Sequence, residues 1–97
     1  MDKQKINFTK SKTGVTITVN LWDGMFQRTY VDNHKLADID KPMDGGFTSG
    51  KDSGWWKIQR IAEHNSMIVF AVTAGIATEG RTDEEFEHIF YIHQDLR

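Results

Sequence analysis

The side chains able to do chemistry are few and scattered. Histidines stand at His34, His64, His88 and His93. His88 and His93 are five residues apart, so a strand sends them to opposite faces and a helix separates them widely. Neither element makes them a metal pair. Asp38, Asp40 and Asp44 suggest a calcium loop, but the regular oxygen spacing, the sixth-position glycine and the closing bidentate glutamate are missing. The chain has no cysteine, which excludes thiolate nucleophiles, thiolate metal sites and disulfides. It has no nucleophile elbow, phosphate-binding glycine loop or paired-histidine zinc motif. The sequence therefore names no catalytic residue, no metal and no cofactor, and the expectation is a protein that is not an enzyme. A histidine working with a carboxylate is the enzymatic route left open.

Three groups of residues are better suited to binding. Asp83, Glu84, Glu85 and Glu87 place four acids within five residues. Such a knot would steer a basic partner towards the surface that carries it; the plainer reading is a solvated turn. Trp55 and Trp56 are adjacent, and adjacent strand residues point to opposite faces. One of them anchors the core with Ile58, and the other is left for the opposite face, against the glycine-rich stretch that precedes it. The expected partner-binding set is Asp83, Glu84, Glu85, Glu87, Trp55 and Trp56. The third group is Arg28 with Tyr30. With Asp23-Gly24 as a two-residue hairpin loop, Leu21 faces Phe26, Val19 faces Arg28 and Ile17 faces Tyr30. Arg28 then lies on the apolar face, where its stem packs on Phe26 and Tyr30 while its head snorkels out. The sharper reading is an inward arginine that binds an acidic ligand or pairs with an internal carboxylate.

The elements that must position these residues are mainly strands. Residues 67–76, from Met67 to Ile76, form the longest apolar run, and both of its alternating sets are apolar. A strand of that kind belongs in the interior of a sheet covered on both faces. Val15, Ile17, Val19 and Leu21 alternate with Thr16, Thr18 and Asn20 in the clearest strand of the chain. Residues 5–10, 25–31 and 55–62 read as further strands. Residues 32–54 read as a long irregular stretch with one helical turn capped by Asn33 and a glycine-rich loop at 43–54. The last segment is ambiguous. Thr82-Asp83-Glu84-Glu85 fits a helix capping box, whereas Ile89-Phe90-Tyr91-Ile92 is β-branched and aromatic with apolar residues on both strand faces.

The expected fold is a single all-β domain over 1–97, with five to seven antiparallel strands in a small sandwich or open barrel. The alternative is an α+β fold in which the same sheet packs against a C-terminal helix at 83–96. A net charge of −2 argues against general affinity for nucleic acid or for an anionic membrane. The lack of an apolar leader after Met1 points to the cytoplasm. These features favour a small binding protein that neutralises or regulates a protein partner, as immunity proteins, antitoxins and phage-encoded inhibitors do; a basic nuclease would be one such partner. The runner-up is a small-ligand β-barrel lined by Arg28 and Tyr30, although a barrel this small would be filled by its own side chains.

Overall fold

The computed structural model describes residues 5–22, 24–79 and 81–93, with 82–84 and 93 described in backbone only. Its strands are β1 (Ile6–Lys10), β2 (Gly14–Asn20), β3 (Phe26–Asp32), β4 (Met43–Ser49), β5 (Asp52–His64), β6 (Met67–Thr78) and β7 (Arg81–His93). One short helix, α1 (Asn33–Ala37), separates the third strand from the fourth. The strands form two antiparallel meanders, β1-β2-β3 and β4-β5-β6-β7, and the two sheets share one core.

Period-two patterning builds each layer. Val15, Ile17 and Val19 of β2 are buried, while Thr16, Thr18 and Asn20 alternate with them towards the outside. In β6 the buried set is Ile68, Phe70, Val72, Ala74 and Ile76, each at 0% exposure. Packing these two faces together removes the apolar rows of both sheets from water, the main source of stability in a sandwich. At one edge, Phe8 of β1 reaches across to β7. Its ring centroid lies 5.2 Å from that of Phe90, which in turn lies 5.2 Å from Phe70. The helix α1 contributes Leu36 and Ala37 to the core, followed by Ile39.

The segment after residue 80 is a strand, so the helical alternative for 83–96 does not hold over its described part. The register decides it. Ile68 faces Ile92, Phe70 faces Phe90 and Ala74 faces Phe86, so β7 lays its apolar residues on the same core face as β6. The β-branched and aromatic residues of this thirteen-residue strand suit a pleated, half-buried surface, and its apolar alternation continues the core face of β6.

Residues 32–54 are also more ordered than the sequence suggests. The cap of α1 is Asp32 rather than Asn33: its carboxylate accepts from the Lys35 backbone N–H at 2.9 Å. Asn33 instead is buried, donating through Nδ2 to the Lys12 carbonyl at 2.9 Å and thereby tying the helix to the β1–β2 turn. The glycine-rich part contains β4, an edge strand paired with β5 from Met43↔Ile58 to Ser49↔Asp52.

The β2–β3 hairpin differs by one residue from the expected register. Its loop is three residues long, 22–24, closed where the Leu21 N–H donates to the Met25 carbonyl at 2.7 Å. Gly24 takes a φ of 99°, as the left-handed position of a three-residue loop requires. The pairs are therefore Asn20↔Phe26, Thr18↔Arg28 and Thr16↔Tyr30. A shift of one residue turns every side chain over. Arg28 and Tyr30 accordingly leave the apolar face and stand on the outer face of the three-stranded sheet.

Candidate functional site

The second apolar set of β6 is where the structure departs most usefully from expectation. The strand is not covered on both sides. Val69, Ala71 and Thr73 face away from the three-stranded sheet and remain partly exposed, with no further layer over them among the described residues. Neighbouring strands extend this face. The register aligns Ala62, Val69 and Tyr91 in one row, and Gln59, Ala71 and Ile89 in the next. Beyond them come Asp44, Lys57, Thr73 and Glu87, then Gly46, Trp55, Gly75 and Glu85. Tyr91 is 52% exposed and Ile89 43%, large fractions for apolar side chains in the middle of a sheet face. A β-bulge between Arg60 and Ala62 adds Ile61 at the margin, also exposed. The apolar part of this face is the first two rows with Ile61; the next two rows carry Asp44, Lys57, Glu87 and Glu85 around Trp55.

The two tryptophans divide between the layers. Trp56 turns inward at 7% exposure beside Ile58, and its ring lies over Gly45, the residue opposite it on β4. A Cβ at Gly45 would stand 2.7 Å from the indole carbons. Trp55 turns outward and lies over Gly75, where a Cβ would stand 2.6 Å from its Nε1. Each indole thus fills the space that a side chain on the neighbouring strand would need, and each glycine is held in a strand by the ring above it. Trp56 is removed from the surface. Trp55 remains on the face, half-buried, in the same row as Glu85.

The acidic residues follow the same frame. Glu85 and Glu87 are exposed on β7, beside Gly75 and Thr73 respectively. Asp83 and Glu84 also belong to the β7 backbone, with Glu84 paired to Ile76, and their side chains lie outside the described residues. Of the expected partner-binding set, then, Trp55, Glu85 and Glu87 share one face and Trp56 does not. Tyr91, Ile89, Val69 and Ala71 were not singled out from the sequence. Their signal was present in the two-sided apolar patterns of 67–76 and 89–92, which a covered strand and an uncovered one produce alike.

Arg28 and Tyr30 are not lining residues of any interior. Arg28 is exposed, its guanidinium 5.8 Å from the Phe26 ring centroid, and Tyr30 donates its hydroxyl to Thr13 Oγ1 at 2.7 Å. The interior itself is filled by the apolar side chains of both sheets. A surface cleft of about 280 Å³ brings His34 near Asp32, with Lys12, Thr13 and Asn33. Its carboxylate already serves as the cap of α1. Among the described residues, no group of three or more histidines or acids is gathered closely enough to hold a metal ion. No helix among the described residues is long and apolar enough to cross a membrane. The chain matches no family model, no curated protein and no solved structure.

Proposed function

We propose that this chain is a non-enzymatic binding protein that neutralises or regulates a protein partner, in the manner of an immunity protein, antitoxin or phage-encoded inhibitor. The working surface in this reading is the outer face of the four-stranded sheet. The observation that carries it is the uncovered second apolar set of β6, widened by Ile89 and Tyr91 and anchored by Trp55. Large apolar and aromatic side chains left exposed side by side in the middle of a sheet face are commonly a place where something else docks. Aromatic side chains such as Trp55 and Tyr91 are the kind that carry binding energy at an interface centre. Glu85 and Glu87 at one end suit a partner with a basic margin, of which a nuclease is one example. The proposal sets the protein in the cytosol.

The test is kinetic. With a partner isolated from the native host by crosslinking, Glu85→Lys with Glu87→Lys should slow association and flatten its salt dependence. Tyr91→Ala should act instead on dissociation, raising its rate by roughly tenfold or more, as loss of an interface anchor does. Neither variant should shift the melting temperature appreciably, since all three side chains are exposed. Unaltered association and dissociation in both variants would remove this face from the interaction.

The small-ligand reading keeps one observation in its favour. Trp56 Nε1 and Gln27 Oε1 are buried and make no hydrogen bond among the described residues. A ligand hydroxyl or amide could satisfy either atom, and a small-molecule thermal-shift screen repeated on Trp56→Phe would detect that.

A further inference from the structure

The outer face of the three-stranded sheet has a different chemistry from the face just described. The registers arrange it as three rows: Lys5, Asn20 and Phe26; Asn7, Thr18 and Arg28; Thr9, Thr16 and Tyr30. Each of these residues is polar, cationic or aromatic, and none is aliphatic. Phe26 is 54% exposed and Tyr30 53%. Trp22, 42% exposed, extends the face at the hairpin, with Lys5 Nζ placed 6.0 Å from its ring centroid.

The charge of the chain is divided in the same way. Residues 1–32, to the end of β3, carry five lysines and arginines against three aspartates, a balance of +2; residues 33–97 carry seven against eleven acids, a balance of −4, and together they give the overall −2. The whole-chain value that argued against nucleic acid therefore averages over a segment with a cationic balance and an acidic remainder, and Lys5 and Arg28 are the cations that stand on this face. Rings and an arginine also suit a protein interface; the alternation of ring, guanidinium and ring along a single strand, with Lys5 on the same face, is the arrangement that favours stacked bases joined by phosphates. A glycan site would have no need of the cations.

We infer that the outer face of β1-β2-β3 binds single-stranded nucleic acid, with bases stacked on Phe26 and Tyr30 and the phosphodiester chain held by Arg28 and Lys5. The geometry suits that ligand. Phe26, Arg28 and Tyr30 alternate along one edge strand, so ring, guanidinium and ring follow at steps of roughly 6.6 Å. The guanidinium between two rings can pair with a phosphate or stack on a base itself. Thr16, Thr18 and Asn7 add neutral hydrogen-bond donors beside the backbone path, which fix position without reading sequence. Tyr30 is already oriented by its bond to Thr13, so its ring is presented rather than free to swing. Stacking platforms with cationic flanks of this type are tolerant of sequence. The proposed protein-binding face lies on the other sheet, so the two proposals stand or fall separately.

The experiment is fluorescence anisotropy of labelled oligo(dT) and oligo(U) strands titrated with the intact chain at low salt. Binding is expected, weaker to duplex of the same length, and falling as salt is raised. Phe26→Ala and Tyr30→Ala should each weaken it roughly tenfold, as loss of one stacked base does. Arg28→Ala should also reduce the slope of log affinity against log salt by about one, while Arg28→Lys restores that slope. All four side chain changes are at exposed positions, and an unchanged melting temperature shows that the fold is intact. The inference is overturned by a flat titration, by binding that ignores removal of both rings, or by a neutral oligosaccharide that displaces the strand in competition.

Discussion

Trp55 and Gly75 are the pair on which the proposed protein-binding face turns at the level of single residues. The indole lies flat on the sheet only because Gly75 offers no side chain beneath it. Gly75→Ala should lift the ring outward, exposing it and costing about 1–3 kcal/mol, the range for forcing extra volume into a packed site. In a Trp22→Phe background the emission should move to longer wavelength, because Trp56 stays enclosed in the core. An unmoved spectrum and midpoint would mean that Trp55 does not rest there. The sequence showed that the two tryptophans must part company, since neighbours on a strand face opposite ways. It did not show which one goes inside. That choice depends on where the glycines of β4 and β6 fall in register, Gly45 opposite Trp56 and Gly75 opposite Trp55. Register is a property of the paired strands and not of either strand alone.

At the level of elements, alternation was the legible part. The strands of 5–10, 15–21, 25–31, 55–62 and 67–76 were readable because apolar and polar residues, or two apolar sets, recur with period two. Strand β4 was not, since Met43 and Phe47 are its only large apolar residues and two of its seven positions are glycine. Glycine lowers strand preference when no neighbour compensates, and here the compensation comes from Trp56 on another strand. The β2–β3 hairpin was visible through Asp-Gly, yet the same dipeptide closes loops of two residues or of three, and that single residue decided where Arg28 points. Gly50 opens the two-residue β4–β5 turn with a φ of 61°, and Gly24 has a φ of 99° in the longer loop. A valine at either place would be forced into the left-handed region. Gly24→Val and Gly50→Val should therefore each cost about 1–3 kcal/mol in chemical denaturation. If only one of them were destabilising, the backbone at the other would differ from that described.

For the whole molecule, the question is what binds the two sheets into one folding unit. Among the described residues the hydrogen-bonded ladders do not cross between them; the connection is apolar packing and a row of rings, Phe70, Phe90 and Phe8, running from the middle of one sheet to the edge of the other. Phe70 is fully buried on an interior strand, whereas Phe8 is partly exposed on a five-residue edge strand. The two positions should therefore fail differently. Phe70→Ala should cost roughly 3–5 kcal/mol, a large share of what a domain of this size possesses, and lower protection throughout the chain. Phe8→Ala should cost less globally and act locally, because an edge strand can open while the rest stays folded. In native-state hydrogen exchange, the amides of β1 would then become fast while those of β6 remain the slowest. Slow exchange concentrated in β2, with β6 opening early, would instead place the stable nucleus in the three-stranded sheet and make the four-stranded one its dependent layer. The expectation here is the reverse, because β6 has hydrogen-bonded neighbours on both sides and contributes more fully buried side chains than any other strand.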